Sequence, residues 1–303
     1  MIHSKHWLAC LDLTEMDDIL LKYVSFLSSV VKPETITFLH IIESSDVESD
    51  LFEEFPEIET KEQFEEILRT ELSENIDEEF GDSSIDIRLV TKEGPPTNQI
   101  IDIANNINPD LLIMGKKIGY IGSGVLPRQI LKYVPASVLF VPENTRYNLQ
   151  NALVPVDFSE QSAKGVKTAV ELIGDKGTVT AQHIYRYKAQ FFPYILTEKE
   201  KAEFDKETIK KKDAFIKKHE IPDNVEFVLT KEGEKRIEDY VYAKAISTQA
   251  NIIVVGSKVK KLPGLIRQDF TDKMANYAFG VPVLIQKNRE RQQKFLKSLF
   301  SKS

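Results

Sequence analysis

Two doubly wound α/β domains in tandem, each built on a five-stranded parallel sheet, are what this sequence predicts. Three observations carry the prediction. First, the chain repeats itself: Trp7-Leu-Ala-Cys-Leu-Asp12-Leu-Thr14-Glu15 returns as Ala152-Leu-Val-Pro-Val-Asp157-Phe-Ser159-Glu160, His40-Ile41 as His183-Ile184, and Thr91-Lys-Glu-Gly94 as Thr230-Lys-Glu-Gly233. Leu111-Leu-Ile-Met-Gly115 then answers to Ile252-Ile-Val-Val-Gly256, and Pro135-Ala-Ser-Val-Leu-Phe to Gly280-Val-Pro-Val-Leu-Ile, all offset by roughly 140 to 145 residues. That period is a whole domain rather than a solenoid unit, and two related domains in one chain suggest a built-in pseudo-dimer. Second, each copy alternates short β-rich runs with helical spacing, the pattern of βαβ units. Third, runs such as Leu111-Leu-Ile-Met and Ile252-Ile-Val-Val are apolar on both faces, so helices must cover both sides of each sheet. Right-handed crossovers then make the doubly wound sheet the default topology.

The elements follow in order. In the first copy, strands are expected at 7–12, 36–42, 85–91, 110–115 and 136–141. A helix follows the first strand because Ile19, Leu20, Tyr23, Val24, Leu27, Val30 and Val31 share one face at helical spacing. Thr14, with Asp17 three residues on, resembles its N-cap. A long acidic helical segment is expected at about 47–79, and Ile100, Ile101, Ile103 and Ala104 mark another helix. The second copy matches, with strands near 151–156, 178–184, 225–230, 251–256 and 281–286. Ser159 caps its first helix, and the Lys-rich stretch 197–219 replaces the acidic helix. Domains are thus expected at 1–143 and 150–287, joined by the polar stretch Pro142 to Gln150, with a basic tail at 288–303.

Composition bounds the function classes. Hydrophobic residues make up 42% of the chain, enough for ordinary globular cores. No apolar run approaches the roughly 20 residues of a membrane span. A strand-like run begins within the first six residues, which predicts no signal peptide. The single Cys10 cannot form an intrachain disulfide, so a reducing, cytoplasmic setting is expected, with the thiol as a small buried hydrophobe. Residues 1–150 hold 12 basic and 27 acidic residues, a net of -15, while the remainder carries +8, which together give the chain's -7. Most of the excess lies between Glu43 and Glu79, as a solvated helical face or one that meets basic residues elsewhere. Nucleic acid is not an expected partner of a domain so charged.

In a doubly wound sheet, ligands gather at the carboxyl ends of the strands where strand order reverses. Asp12 and Asp157 end first strands, and Gly115 and Gly256 end fourth strands, so both pairs stand where a ligand would sit. Taken together, an Asp-x-Ser/Thr-Glu after the first strand, a His-Ile closing the second, a Gly before the third helix, a Gly ending the fourth strand and a small residue or Pro before the last resemble the universal stress protein family, specifically its tandem two-domain members. The resemblance covers about Lys5 to Lys287 and implies strand order 3-2-1-4-5, with association through the last strands.

The resemblance also implies a nucleotide question. Some members of that family bind ATP through a loop of the form G-x2-G-x9-G-[ST] after the fourth strand, whose glycines let backbone N–H groups reach phosphates; others lack it. The first domain reads Gly115-Lys-Lys-Ile-Gly119-Tyr-Ile-Gly122-Ser123-Gly124-Val125, about four residues short, with Val125 where a hydroxyl belongs. Four glycines, Ser123, Lys116 and Lys117 still suit a phosphate cradle, so ATP or ADP is the candidate cofactor, with Asp12, Ile41, Gly115, Gly119, Gly122, Ser123 and Gly124 as candidate contacts. The bland reading is a tight turn entering a helix, capped by Ser123. The second domain keeps the length but carries Val259 for the second glycine and Asp269-Phe270 for Gly-Ser/Thr. Its counterparts Asp157, Ile184 and Gly256 therefore carry a weaker signal. Lys258, Lys260, Lys261 and Arg267 could attract an anion but read better as a solvated basic loop. His40 and His183 read as structural.

No Walker loop, nucleophile elbow, H-E-x-x-H or C-x-x-C is present, so no catalytic constellation and no metal site are expected. Phe295, Leu296, Leu299 and Phe300 share a helical face among basic residues in the tail, which could meet a partner or an anionic surface but not anchor stably in a membrane. The expectation is a non-enzymatic stress-response binding or signalling protein with an unidentified protein partner, and homodimerisation is open. The alternatives are an ATP- or ADP-binding sensor in the first domain, or a transferase or hydrolase using the same crevice.

Overall fold

The computed structural model describes residues 5–43, 60–117, 125–187, 196–257 and 270–288. The chain divides into two compact units, one formed chiefly by Ile2–Asn148 and the other by Leu149–Tyr277 with Val283–Gln286. The first runs β1 (His6–Leu11), α1 (Met16–Val31), β2 (Thr35–Ile42), α2 (Lys61–Phe80), β3 (Asp86–Glu93), α3 (Pro96–Ile107), β4 (Leu111–Lys116), α4 (Val125–Tyr133) and β5 (Ser137–Pro142). The second runs β6 (Asn151–Pro155), α5 (Glu160–Ile173), β7 (Thr178–Tyr185), α6 (Glu198–His219), β8 (Val225–Lys231), α7 (Ile237–Ser247), β9 (Ile252–Gly256), α8 (Phe270–Asn276) and β10 (Val283–Gln286). Strand order is β3-β2-β1-β4-β5 in one and β8-β7-β6-β9-β10 in the other, with parallel pairing. Both are the expected 3-2-1-4-5 sheet.

Register sets the turn after each first strand at the carboxyl edge of its sheet. Cys10 lies beside both Leu39 and Met114. The turn after β1 therefore stands between the carboxyl ends of β2 and β4. In the second unit Pro155 pairs with Gln182, and Leu153 with Ile253. Trp7, Leu8, Ile36, Phe38, Leu112 and Ile113 are wholly buried in the first core, as are Leu153, Val154, Ala181 and Ile253 in the second. A strand this apolar on both faces holds only when helices cover both.

The amphipathic helices differ from expectation in one detail each. Of the predicted apolar face of α1, Leu20, Tyr23, Val24 and Leu27 are buried, but Val30 is 43% exposed. At 100° per residue, positions 19 and 30 fall on the flank of that face rather than its centre. The acidic helix occupies Lys61–Phe80, ending one residue past the segment expected at about 47–79; residues 47–59 lie outside the described residues. Its Thr60 accepts from the Gln63 N–H, with the Gln63 side chain accepting in return from the Thr60 N–H. Phe80 at its end packs on Phe38 with ring centroids 5.4 Å apart.

Candidate functional site

Each unit turns from its first strand into its first helix through the same strained corner. Leu13 and Phe158 adopt φ of 54° and 60°, a left-handed backbone that costs an ordinary side chain ~1 kcal/mol or more. The histidines closing the second strands hold this corner. Nδ1 of His40 lies 3.1 Å from the Leu11 carbonyl, and Nδ1 of His183 lies 2.8 Å from that of Val156. A carbonyl can only accept, so Nδ1 carries the proton in both rings. Burial lowers the His183 pKa, opposed by that hydrogen bond. Both histidines are thus structural ties, as the sequence suggested.

The corners diverge at the next position. In the second unit Ser159 caps α5 as expected: its Oγ accepts from the Ser162 N–H (3.3 Å) while Ser162 Oγ accepts from the Ser159 N–H (3.1 Å). In the first unit Thr14 does not cap through Asp17 in this way. Its Oγ1 donates to Asp12 Oδ1 (2.6 Å) and accepts from the Met16 N–H (3.3 Å), and the Asp17 N–H goes to the Thr14 carbonyl. The reason is Asp17 itself, which is buried and accepts from the N–H groups of Asp12 (3.0 Å) and Leu13 (2.8 Å). Burial raises its carboxyl to about 7, against the two backbone hydrogen bonds and with the Asp12 charge adding to the rise. A buried acid thus fills the position that Ser162 takes in the other unit.

The glycines ending the fourth strands let the first helices close on the sheet. A Cβ at Gly115 would stand 2.5 Å from Met16 Cγ. One at Gly256 would stand 2.2 Å from the Gln161 carbonyl oxygen, which is backbone and cannot turn aside. Beyond Gly115, burial lowers Lys116 to about 8. Burial, aided by Asp17, pushes Cys10 up to about 12 and leaves no thiolate for chemistry.

In the second unit these pieces enclose a cavity of about 280 Å³. The sequence-predicted Asp157, Ile184 and Gly256 all line it. Pro155, Val156, Ile237 and Phe270 supply the rest of an apolar wall, and Ser162, Gln182 and Thr271 are its other polar residues. In the first unit Asp12, Ile41 and Gly115 lie at the carboxyl ends of adjacent strands, with Ile41 buried in β2. Gly119, Gly122, Ser123 and Gly124 lie outside the described residues, as do the second loop from Lys258 to Asp269 and the basic tail from Arg289. Sequence reasoning missed Gln182, an amide on β7 where the first copy has Leu39. Alignment of the repeats exposes that difference. Among the described residues, no group of three or more His, Cys, Asp and Glu could hold a metal ion, and no helix is long and apolar enough to cross a membrane.

Comparison with known proteins places this geometry. The sequence model described as the universal stress protein family matches residues 4–142 and again 148–287. No curated protein sequence matches the chain. Among solved structures, a functionally unknown protein from Pseudomonas aeruginosa PAO1 is similar over 100% of this chain and 99% of its own, at 14% identity and a TM-score of 0.66. A universal stress protein from Archaeoglobus fulgidus DSM 4304 is similar over 95% and 97%, at 18% identity and a TM-score of 0.58. At these identities the likeness is one of fold.

Proposed function

The chain belongs to the universal stress protein family through both of its halves, and from that premise we propose that it is a non-enzymatic, cytoplasmic stress-response module that binds a small ligand at the carboxyl ends of its strands. The observation that carries this reading is the cavity of the second unit, largely apolar and bordered by an aspartate and a serine that are already committed to the neighbouring corner. Ser162 Oγ donates to the Ser159 carbonyl at 2.9 Å rather than to a base. Successive residues of β7 face opposite sides of the sheet, so His183 points away from the side of Gln182 and Ile184. It stacks instead on Phe158, 4.0 Å between centroids. Nucleophilic catalysis needs a hydroxyl or thiol beside a base, and here the Ser162 hydroxyl and the imidazole are each tied elsewhere.

A second reading, an ATP- or ADP-binding sensor in the first unit, is favoured by one feature. Lys116 follows Gly115 at the end of β4, with Asp12 and Ile41 at the neighbouring strand ends. Against it stands the Asp17 acid beneath the same corner, which as an anion repels phosphate. The deciding experiment is to denature freshly purified protein, quantify released adenine nucleotide by chromatography and mass spectrometry, and assay phosphate release from Mg-ATP. The proposed module yields neither. Near one equivalent of nucleotide, lost in Gly122→Val, establishes the sensor, and steady phosphate release overturns the non-enzymatic reading.

A further inference from the structure

The long helix after the second strand carries opposite charge in the two units. α2 holds eight carboxylates against Lys61 and Arg69, whereas α6 holds eight lysines against six carboxylates. On α2, Ile67, Glu71, Glu74 and Glu78 stand 4, 7 and 11 residues apart and so form one stripe. All four are exposed, Ile67 at 49%. Lys206, Ile209, Lys210 and Lys217 form the matching stripe on α6, again exposed, with Ile209 at 45%. Each stripe spans 11 residues, about 16 Å of helix. Among the described residues the three glutamates have no ion pair, since Lys61 is held by Glu93 and, at 3.8 Å, by Glu65. The three lysines have none either, and the acids within their stretch are taken. Glu207 pairs with Lys211 at 2.7 Å and Asp213 with Lys212 at 3.1 Å, while Asp205 accepts from the hydroxyls of Tyr185 and Tyr187 at 2.8 and 3.0 Å. Glu203 and Glu220 stand only at the two ends of the stripe. The flanking sequence reinforces both signs: residues 43–59 add eight acidic residues and no lysine or arginine, and residues 188–195 add Lys188 and no acid.

We propose that α2 of one chain docks on α6 of a second copy of this chain, with Ile67 against Ile209 and Glu71, Glu74 and Glu78 opposite Lys206, Lys210 and Lys217. Charge sets the pairing. Two α2 stripes repel each other, as do two α6 stripes, so the acidic face of one copy fits only the basic face of another. The exposed isoleucine in each stripe supplies an apolar contact that water now covers. Single exposed ion pairs contribute little, so the contact is weak, and its strength comes from three pairs acting around that apolar centre. Because each chain offers both faces, the contact is head-to-tail: two of them close a dimer, and otherwise the chains string together.

The test uses full-length chains that differ only in charge and stands apart from the nucleotide and turnover assays. In sedimentation velocity the wild type associates with rising concentration. Its dissociation constant grows at least about tenfold between about 0.1 M and about 1 M salt, over which the Debye length shortens from about 10 to about 3 Å. The variant Glu71→Lys/Glu74→Lys/Glu78→Lys has two basic faces, and Lys206→Glu/Lys210→Glu/Lys217→Glu has two acidic ones, so each alone loses the salt-sensitive association. Mixed one to one they associate again, because each reversed helix meets its complement on the other chain. A wild type that stays monomeric, association indifferent to salt, or a mixture that does not reassociate overturns the proposal. So does loss in the α2 variant with the α6 variant unaffected, which assigns the acidic face to other basic residues. Should a variant fail to fold, carbodiimide cross-linking of an equimolar mixture of unlabelled and nitrogen-15-labelled wild type decides. Cross-links from 61–80 to 198–219 that join the two labels support the contact, and cross-links confined to one label, or none, overturn it.

Discussion

Replacing Asp17 by asparagine should make the first unit more stable at pH 8 and remove a pH dependence. A carboxyl whose value rises from 3.8 to about 7 on folding is disfavoured as the anion by ~4 kcal/mol, at about 1.4 kcal/mol per pH unit. The sign follows from proton affinity. The folded chain binds this proton more tightly than the unfolded one, so stability is greatest when Asp17 is protonated. It falls as pH rises from about 4 to about 7 and is then level. The asparagine side chain carries no charge, but its single carbonyl oxygen can serve only one of the two N–H groups of Asp12 and Leu13, a loss of ~1–2 kcal/mol. The net expectation for Asp17→Asn is a gain of ~2–3 kcal/mol at pH 8, and equality or a loss of ~1–2 kcal/mol near pH 4. Trp7, the chain's single tryptophan, is wholly buried near the start of β1, so its fluorescence reports unfolding of this unit within the full chain. Urea midpoints of wild type and variant, measured from pH 4 to 8, isolate the Asp17 contribution because other groups cancel in the difference. Parallel curves, or a variant weaker than wild type at pH 8, refute the reasoning.

The other expectations use the repeat as its own control. Gly256→Ala drives a Cβ into the Gln161 carbonyl and should cost ~2–3 kcal/mol, whereas Gly115→Ala meets only the flexible Met16 side chain and should cost ~1 kcal/mol or less; thermal denaturation of the two variants shows the ordering. Leu13→Gly relieves a left-handed backbone and should gain ~1 kcal/mol in urea unfolding. The matching Phe158→Gly should lose stability instead, because that ring stacks on His183 at 4.0 Å and packs against Phe215 at 5.5 Å. Lys116, lowered to about 8, is about a hundredfold richer in free amine at pH 8 than an ordinary lysine. Competitive acetylation read by mass spectrometry should therefore show it labelled with a midpoint near pH 8, well below the surface lysines.

The doubly wound α/β class and the tandem plan were legible in the residues, and the strand order followed from the family resemblance they carry. Parallel strands buried on both faces, such as Leu111-Leu-Ile-Met, leave an unmistakable apolar run, and the repeat doubles every signal. The structural role of His40 and His183 was legible for the same reason, since both stand at one strand end in each copy. The capping role assigned to Thr14 was not. Capping patterns describe a hydroxyl and a backbone N–H, and here the outcome turned on a buried carboxylate capturing two amides of the preceding corner. Gln182 shows the same limit. The repeat marks it as a polar residue where the first copy has Leu39, but only packing against Thr230 and Tyr240 decides how its amide is paired. Local pattern determines which element a residue joins, because periodicity and propensity act along the chain. How the polar atoms of Gln182 are paired depends on neighbours up to 58 residues away in sequence, and only the tertiary fold brings those together.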